Sequence, residues 1–330
     1  MIDAYLKQMK ISYELDVDLK RITWIHRGGV VKYFVIPKDV YELCSICTFL
    51  YRNNIKFDLV GHTSNLYFLN DYNPYIIVAT KYCNTIEEKK EELVCDCGVS
   101  VIRLAKQCVK KGICGFEYLT LLPGTVGAAV YNNSSCKKNS ISSLVEKIDF
   151  LTDTGDRIIL SADQLNFQYR TSSLKKEEIK GVILKVYLKI KYGNAIELIR
   201  IAEMNKKNRD LIFKKVTNSL GCTFDNPSLS LFYGFCLKIF EYSFRLVGVD
   251  QYTIDVRKRD LLLFMTGYSC LRTYICAQSY IIFMWKDEAA DEKFPIYVEF
   301  ASKVLHTKKL EIQIKSDKYG KNKFIDNTLG

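Results

Sequence analysis

No apolar run in this chain approaches the ~18 residues that a membrane-spanning helix needs. The opening stretch Met1–Lys10 has no hydrophobic h-region, so no secretory signal is read and a cytoplasmic protein is expected. Histidine is scarce: His26, His62 and His306 are the only three. None pairs with another at metal-ligand spacing. Cys44-x-x-Cys47 and Cys95-x-Cys97 have no second pair at a suitable distance, so no metal site is expected. Internal repeats and low-complexity tracts are also missing.

Cysteine itself is plentiful, with 12 in 330 residues. An even count suggests disulfides only in small secreted chains. Here the cysteines are scattered through apolar stretches, and buried thiols are the expectation. The formal charge of +11 favours anionic ligands such as a nucleotide cofactor or a nucleotide sugar. The aromatic residues sit mainly in alternating or apolar segments, which points to core packing. A nucleic-acid surface would instead interleave them with an exposed basic patch. The length allows two or three domains and a sizeable core.

Along the chain, Val30–Ile36 reads as a strand, Val40–Asn53 as a helix and Phe57–Val60 as a strand. This is a β-α-β unit whose last strand runs into a glycine-bearing loop, where α/β folds usually place ligands. Tyr75–Ala79 and Glu91–Cys97 read as strands, and Val99–Gly112 as a helix with Val101, Leu104, Ala105 and Cys108 at helical spacing. Ile148–Leu151, the turn Asp153-Thr154-Gly155-Asp156 and Arg157–Leu160 form a hairpin, and Val182–Ile190 a further strand. Ile196–Lys214 is a lysine-rich helix. Tyr280–Trp285 has the character of a buried strand, and the polar tail Lys315–Gly330 that of a loosely ordered terminus.

Two separated stretches read as a diphosphate cradle. The first is Gly61-His62-Thr63-Ser64-Asn65. The second runs Gly115-Phe116-Glu117-Tyr118, then Pro123-Gly124-Thr125-Val126-Gly127-Ala128-Ala129, then Asn132-Asn133. Small residues let several backbone N–H groups converge on phosphate oxygens without a Cβ in the way. Pro123 stiffens the second loop. Further on come Tyr169-Arg170-Thr171-Ser172-Ser173 and Gly221-Cys222-Thr223-Phe224-Asp225-Asn226-Pro227.

In this order and spacing the stretches resemble the UDP-N-acetylenolpyruvoylglucosamine reductase family from about Trp24 to Pro227. That family has a Gly-Gly-Gly-Ser-Asn-like loop, a Pro-Gly-Thr-Val-Gly-Ala block, Tyr-Arg-x-Ser and Gly-Ser-x-Phe-x-Asn-Pro. His62 and Thr63 replace the inner glycines of the first loop. The resemblance implies an α+β fold: a two-domain FAD-binding fold of the kind shared with vanillyl-alcohol oxidase, with a divergent third α+β substrate domain. Boundaries fall at 1–82 and 83–216 for the two FAD-binding parts and 217–330 for the substrate domain. FAD contacts are implied at Gly61, His62, Thr63, Ser64, Asn65, Pro123, Gly124, Thr125, Gly127, Ala128, Tyr169 and Ile183. The FAD is expected to be non-covalent, because the attaching histidine of related covalent flavoproteins aligns with Thr63 rather than His62.

The implied reaction passes hydride from NADPH through FAD to an enolpyruvyl nucleotide sugar of peptidoglycan precursor synthesis. Arg170 takes the place of the family's arginine, which acts near the substrate carboxylate; a guanidinium is always charged and binds a carboxylate through two N–H groups. Cys222 takes the place of the proton-donating serine; a thiol, with a reference pKa of ~8.5, is the stronger acid. Gln313, in Leu310-Glu311-Ile312-Gln313-Ile314, takes the place of a glutamate, and an amide carries no proton to give. Glu311 lies on the same strand face, roughly 6–7 Å away by strand rise. The stretch Tyr252–Met265 lacks the family's Ser-x-Lys-His-Ala-Asn-Phe pattern. Two further readings stay open: a flavin oxidoreductase acting on another surface-polysaccharide sugar, and a flavin-binding protein without the family's catalysis. The sequence leaves the oligomeric state unassigned.

Overall fold

The structure, a computed structural model, describes residues 1–136, 139–213, 215–225, 227–307 and 309–317. Asn226, Lys214 and most of the tail lie outside the described residues. The chain divides into two compact units, each built from discontinuous segments.

The first unit takes Met1–Asp18, Val30–Thr63 and Asn73–Asn208. One of its sheets has the order Ser12–Asp18, Val30–Ile36, Ile76–Ala79, Asp58–Val60. Val30–Ile36 and Asp58–Val60 both run parallel to Ile76–Ala79, which lies between them. The β-α-β reading therefore holds, with a later strand inserted at its centre. The connecting helix is Val40–Arg52. The Asp39 side chain accepts from the Glu42 N–H at 2.8 Å, and the Glu42 carboxylate accepts from the Lys38 N–H at 3.0 Å. These bonds satisfy donors that a helix start leaves without partners. Leu43, Ile46, Cys47 and Leu50 recur at helical spacing and are buried.

The second sheet is antiparallel, in the order Arg157–Ser161, Val145–Thr152, Gly181–Lys189, Glu92–Asp96, Ile86–Glu88. Its hairpin turns through Asp153–Asp156, with Gly155 at φ 94°. That left-handed value is cheap only for glycine. Helix Val101–Lys110 begins where the Ser100 hydroxyl accepts from the Arg103 N–H, and it buries Val101, Leu104, Ala105 and Cys108.

The second unit takes Leu19–Gly29, Ser64–Tyr72 and the chain from Arg209 onward. It contains the helices Leu231–Leu246, Gln251–Met265 and Ala290–Lys303, and a parallel pair of short strands, Leu66–Phe68 and Gln313–Lys315. Its core is aromatic: Phe224, Phe283, Trp285, Phe294 and Tyr297 pack ring on ring. Asp291 ties the segments together. It accepts from Arg27 Nε at 3.2 Å, from the Tyr67 hydroxyl at 2.8 Å and from Asn70 Nδ2 at 3.1 Å. Two expectations change here. Tyr280–Trp285 is buried in its second half but forms only isolated bridges, not a strand, because its rings pack against the helix Ala290–Lys303. Within Leu310–Ile314, strand pairing begins only at Gln313 and continues to Lys315.

None of the twelve cysteines is in a disulfide. Burial pushes the thiols of Cys47, Cys83 and Cys97 up, which keeps them protonated and inert. Among the described residues no His, Cys, Asp and Glu group has metal-binding geometry, and no helix is long and apolar enough to cross a membrane.

Candidate functional site

The candidate residues fall into two groups, one in each unit. In the first unit the two glycine loops meet. A Cβ built on Gly61 would lie 2.5 Å from Thr125 Oγ1 and 2.8 Å from its Cγ2. Only a glycine permits that approach. The Val60 carbonyl, just before Gly61, accepts from the Thr80 N–H at 2.8 Å and from the Thr80 hydroxyl at 3.2 Å. The second loop is stitched to residues 97–101: Val126 N–H donates to Val99 O and Gly127 N–H to Cys97 O, both at 2.8 Å, and Val101 N–H to Gly124 O at 3.1 Å. Gly124 is buried with φ 125°, a backbone state that strains any side chain.

Thr63 occupies φ 55°, the left-handed region that one of the family's glycines would fill without strain, and it is 6% exposed. His62 is half-buried. Burial, with the positive charge of Lys81 behind it, holds its imidazole below the ordinary histidine value. Pro123 and Ala128 are half-buried beside Gly124, Thr125 and Gly127. Ile183 is buried in strand Gly181–Lys189, against which the short helix Val126–Tyr131 packs.

Tyr169 and Arg170 form the tip of a two-residue turn. Gln168 and Thr171 exchange both backbone hydrogen bonds at 3.1 Å, and Arg170 takes φ 56°. Its guanidinium lies 5.9 Å from the centre of the exposed Tyr169 ring. Lys175 Nζ donates to the Arg170 carbonyl at 3.0 Å. Two residues that sequence reasoning did not assign hold this turn. Asn133 Nδ2 donates to Gln168 O at 2.8 Å, and the Ser172 hydroxyl donates to Tyr131 O at 2.7 Å. Their signal was present: an asparagine ending the Gly-Ala-Ala helix, and a serine in Tyr-Arg-x-Ser.

In the second unit, Ser64 and Asn65 turn into strand Leu66–Phe68. Asn65 O accepts from the Gln313 N–H at 3.0 Å, and Asn65 Nδ2 donates to Glu311 O at 3.1 Å. The Glu311 N–H donates to Thr223 O at 2.9 Å, and the Thr223 N–H to Ile281 O at 2.7 Å. Asn65, Gln313 and Cys222 thus lie on successive hydrogen-bonded segments. Cys222 is half-buried and bridges Ile282. Ile312 and Ile314 point inward, which leaves Glu311 and Gln313 on the opposite face.

The residues fit an FAD on one direct observation: the first loop lacks a Cβ at the point where the second loop packs, and Gly124 holds a glycine-only conformation beside it. A family model described as an FAD binding domain matches residues 31–161. The UDP-N-acetylenolpyruvoylglucosamine reductase of Borreliella burgdorferi is 30% identical over 227 residues, 68% of this chain and 74% of that protein. The enzyme of the same name from Caldicellulosiruptor saccharolyticus is 26% identical over 204 residues, 62% of this chain and 65% of its own length. The crystal structure of UDP-N-acetylenolpyruvylglucosamine reductase from Thermus caldophilus superposes with a TM-score of 0.67 at 20% identity, covering 92% of this chain and 99% of that one, a likeness of fold. The chain belongs to the UDP-N-acetylenolpyruvoylglucosamine reductase family and carries its FAD-binding domain.

Proposed function

We propose that the protein is an FAD-dependent reductase that takes its electrons from NADPH and reduces the enolpyruvyl double bond of a UDP-linked amino sugar. The observation that carries this reading is the contact between Gly61 and Thr125, which joins the two loops that the family uses for its cofactor. FAD would be held by backbone groups of residues 61–65 and 123–128, with Tyr169 and Ile183 as further contacts. When bound, a flavin takes hydride from a nicotinamide and gives it to a polarised carbon–carbon double bond.

The chain's own residues supply the rest. Arg170 offers two parallel N–H donors to the substrate carboxylate and stabilises negative charge that builds there during reduction. Cys222 Sγ gives the proton that completes the new C–H bond on the carbon beside that carboxylate, and the thiolate is reprotonated from solvent. Gln313 donates an Nε2–H hydrogen bond and can neither accept nor deliver the proton of a carboxylic acid. The departure of Tyr252–Met265 from the family's pattern favours a second reading, in which the flavin is retained and a different nucleotide sugar is the oxidant.

The test is a flavin reoxidation screen. Purified protein should show the oxidised-flavin absorbance band and lose it with NADPH in the absence of oxygen. Recovery with UDP-N-acetylenolpyruvoylglucosamine supports the first reading, and recovery only with another nucleotide sugar supports the second. A colourless protein that ignores added FAD sinks both.

A further inference from the structure

The helix Leu231–Leu246 is apolar on two faces. Tyr233, Leu237, Phe240 and Phe244 form one stripe; Leu237 is 4% exposed, Tyr233 packs on the core, and the rings of Phe240 and Phe244 meet at 4.6 Å. Phe232, Phe235, Ile239, Tyr242 and Leu246 form the other, with exposures of 65%, 65%, 54%, 66% and 70%. At ~100° per residue the second stripe spans an arc of about 80° and is centred about 150° from the first. A surface helix needs one apolar stripe to dock; this helix has a second that its own unit leaves in water.

With Leu231 and Val247 at its ends, the second stripe leaves on the order of 800 Å² of side chain in water, at ~150–250 Å² per large side chain. The largest apolar patch on an ordinary monomer is ~300–600 Å². One side of a stable protein interface covers ~800 Å². The spacing selects the partner. Read from the other end, the steps of three, four, three and four become four, three, four and three, so about Ile239 the outer pair coincides and the inner pair is offset by one residue. An antiparallel copy related by a two-fold axis through Ile239 sets Phe232 against Leu246 and Phe235 against Tyr242. A stripe that meets its own copy in this way fits an isologous contact, and its area matches one side of a stable dimer interface. The charges alongside are matched within the unit, Arg245 with Glu241 at 2.5 Å and Lys258 with Glu241 at 2.5 Å.

We propose that this stripe is a homodimer interface in which the helix Leu231–Leu246 packs antiparallel on its own copy about Ile239. Lys238, next to the axis, then approaches its counterpart, so association tightens as salt is raised.

Sedimentation velocity on the full chain tests it. A dimer is expected at about 10 µM, and Phe235→Glu with Ile239→Glu should weaken association by about 100-fold, since two central apolar anchors are lost. The far-UV circular dichroism and melting of that variant should match wild type, because both side chains are exposed. Ile239→Cys should give an oxidative covalent dimer that wild type, under the same oxidant, does not. A monomer up to about 100 µM overturns the proposal, as does a dimer that Phe235→Glu with Ile239→Glu leaves intact. A monomer that dimerises only after removal of residues 318–330 overturns it too, and assigns the stripe to the tail.

Discussion

The side-chain amide of Asn133 donates to the carbonyl of Gln168 at 2.8 Å, across 35 residues of sequence, and fixes the base of the turn that presents Arg170. The other end of the same side chain accepts from the Ser142 N–H at 3.3 Å, so Asn133 is clamped on both sides and 4% exposed. It also holds φ 42°, which asparagine and aspartate tolerate better than most residues. Asn133→Asp keeps the acceptor and the backbone preference but removes the donor. The Gln168 carbonyl keeps the Thr171 N–H but loses its second donor, and a charge is buried beside it, at a cost of about 1–3 kcal/mol. We expect a lower urea midpoint, slower sugar-dependent reoxidation and unchanged reduction by NADPH. Equal loss in both half-reactions would show that Asn133 does not act through the Arg170 turn.

Arg170 itself is the more direct test. Arg170→Ala should abolish turnover on the enolpyruvyl sugar while the protein stays yellow, because the guanidinium is assigned to the substrate and the cofactor loops are held by their own backbone bonds. Wild-type rates in the variant would discard the role.

Gly61→Ala addresses the cofactor. The added methyl meets Thr125, whose side chain cannot yield freely, because it is 1% exposed and its hydroxyl accepts from the Ala128 N–H at 3.4 Å. Overpacking of this kind costs typically ~1–3 kcal/mol, and the loops must part to relieve it. A flavin titration followed by fluorescence should show affinity falling by about 10- to 100-fold. Adding Thr125→Ala removes the two closest atoms and should recover part of the loss, a non-additivity that marks direct contact. FAD affinity equal to wild type in Gly61→Ala would mean that this crossing is not the cradle.

His62 gives a pH signature. Its folded-state pKa lies below the ordinary value, burial being the larger cause and Lys81 the smaller. The unfolded chain therefore binds a proton that the folded chain refuses as the pH falls through ~6.5. The contribution is complete above that pH and is lost progressively on acidification, down to the folded value. His62→Gln cannot titrate, so its urea midpoint should drop less steeply than that of wild type between about pH 7 and pH 5. Parallel slopes would place the acid sensitivity elsewhere.

The flavin half was legible because its constraints are local. Gly61, Gly124 and Asn133 each answer to a backbone approach or a φ value that few residues satisfy, and such demands leave a residue-level mark. The hairpin at Thr154-Gly155 was legible for the same reason. The second unit was not. Tyr280–Trp285 is apolar without a period, and an unbroken apolar run does not distinguish a strand from an irregular segment packed among rings. The helix Ala290–Lys303 carries Pro295 in its interior, which disguises it as a loop. The helix Leu231–Leu246 is apolar on both faces, so no single amphipathic stripe stands out. Strand Gln313–Lys315 pairs with Leu66–Phe68 across most of the chain, a register that no local pattern reveals.

That register makes Gln313→Glu the most informative change. The Gln313 N–H is tied to Asn65 O, and Ile312 and Ile314 anchor the strand from its buried face, so the backbone should carry either side chain in the same place. Glutamate has nearly the same shape and adds only the ability to hold and release a proton. If the reaction is limited by that lost function, Gln313→Glu should raise kcat on UDP-N-acetylenolpyruvoylglucosamine by at least about 10-fold, a part of the ~10²–10⁴-fold that a positioned acid or base typically contributes. The gain should appear in reoxidation and leave reduction by NADPH unchanged. Glu311→Gln is the control. Glu311 lies two residues before Gln313, on the face opposite the buried Ile312 and Ile314, and if it already serves in place of the missing acid, its loss lowers turnover while Gln313→Glu adds little. No gain from Gln313→Glu and no loss from Glu311→Gln would remove this strand from the chemistry, and would favour a substrate whose reduction needs no carboxylic acid there.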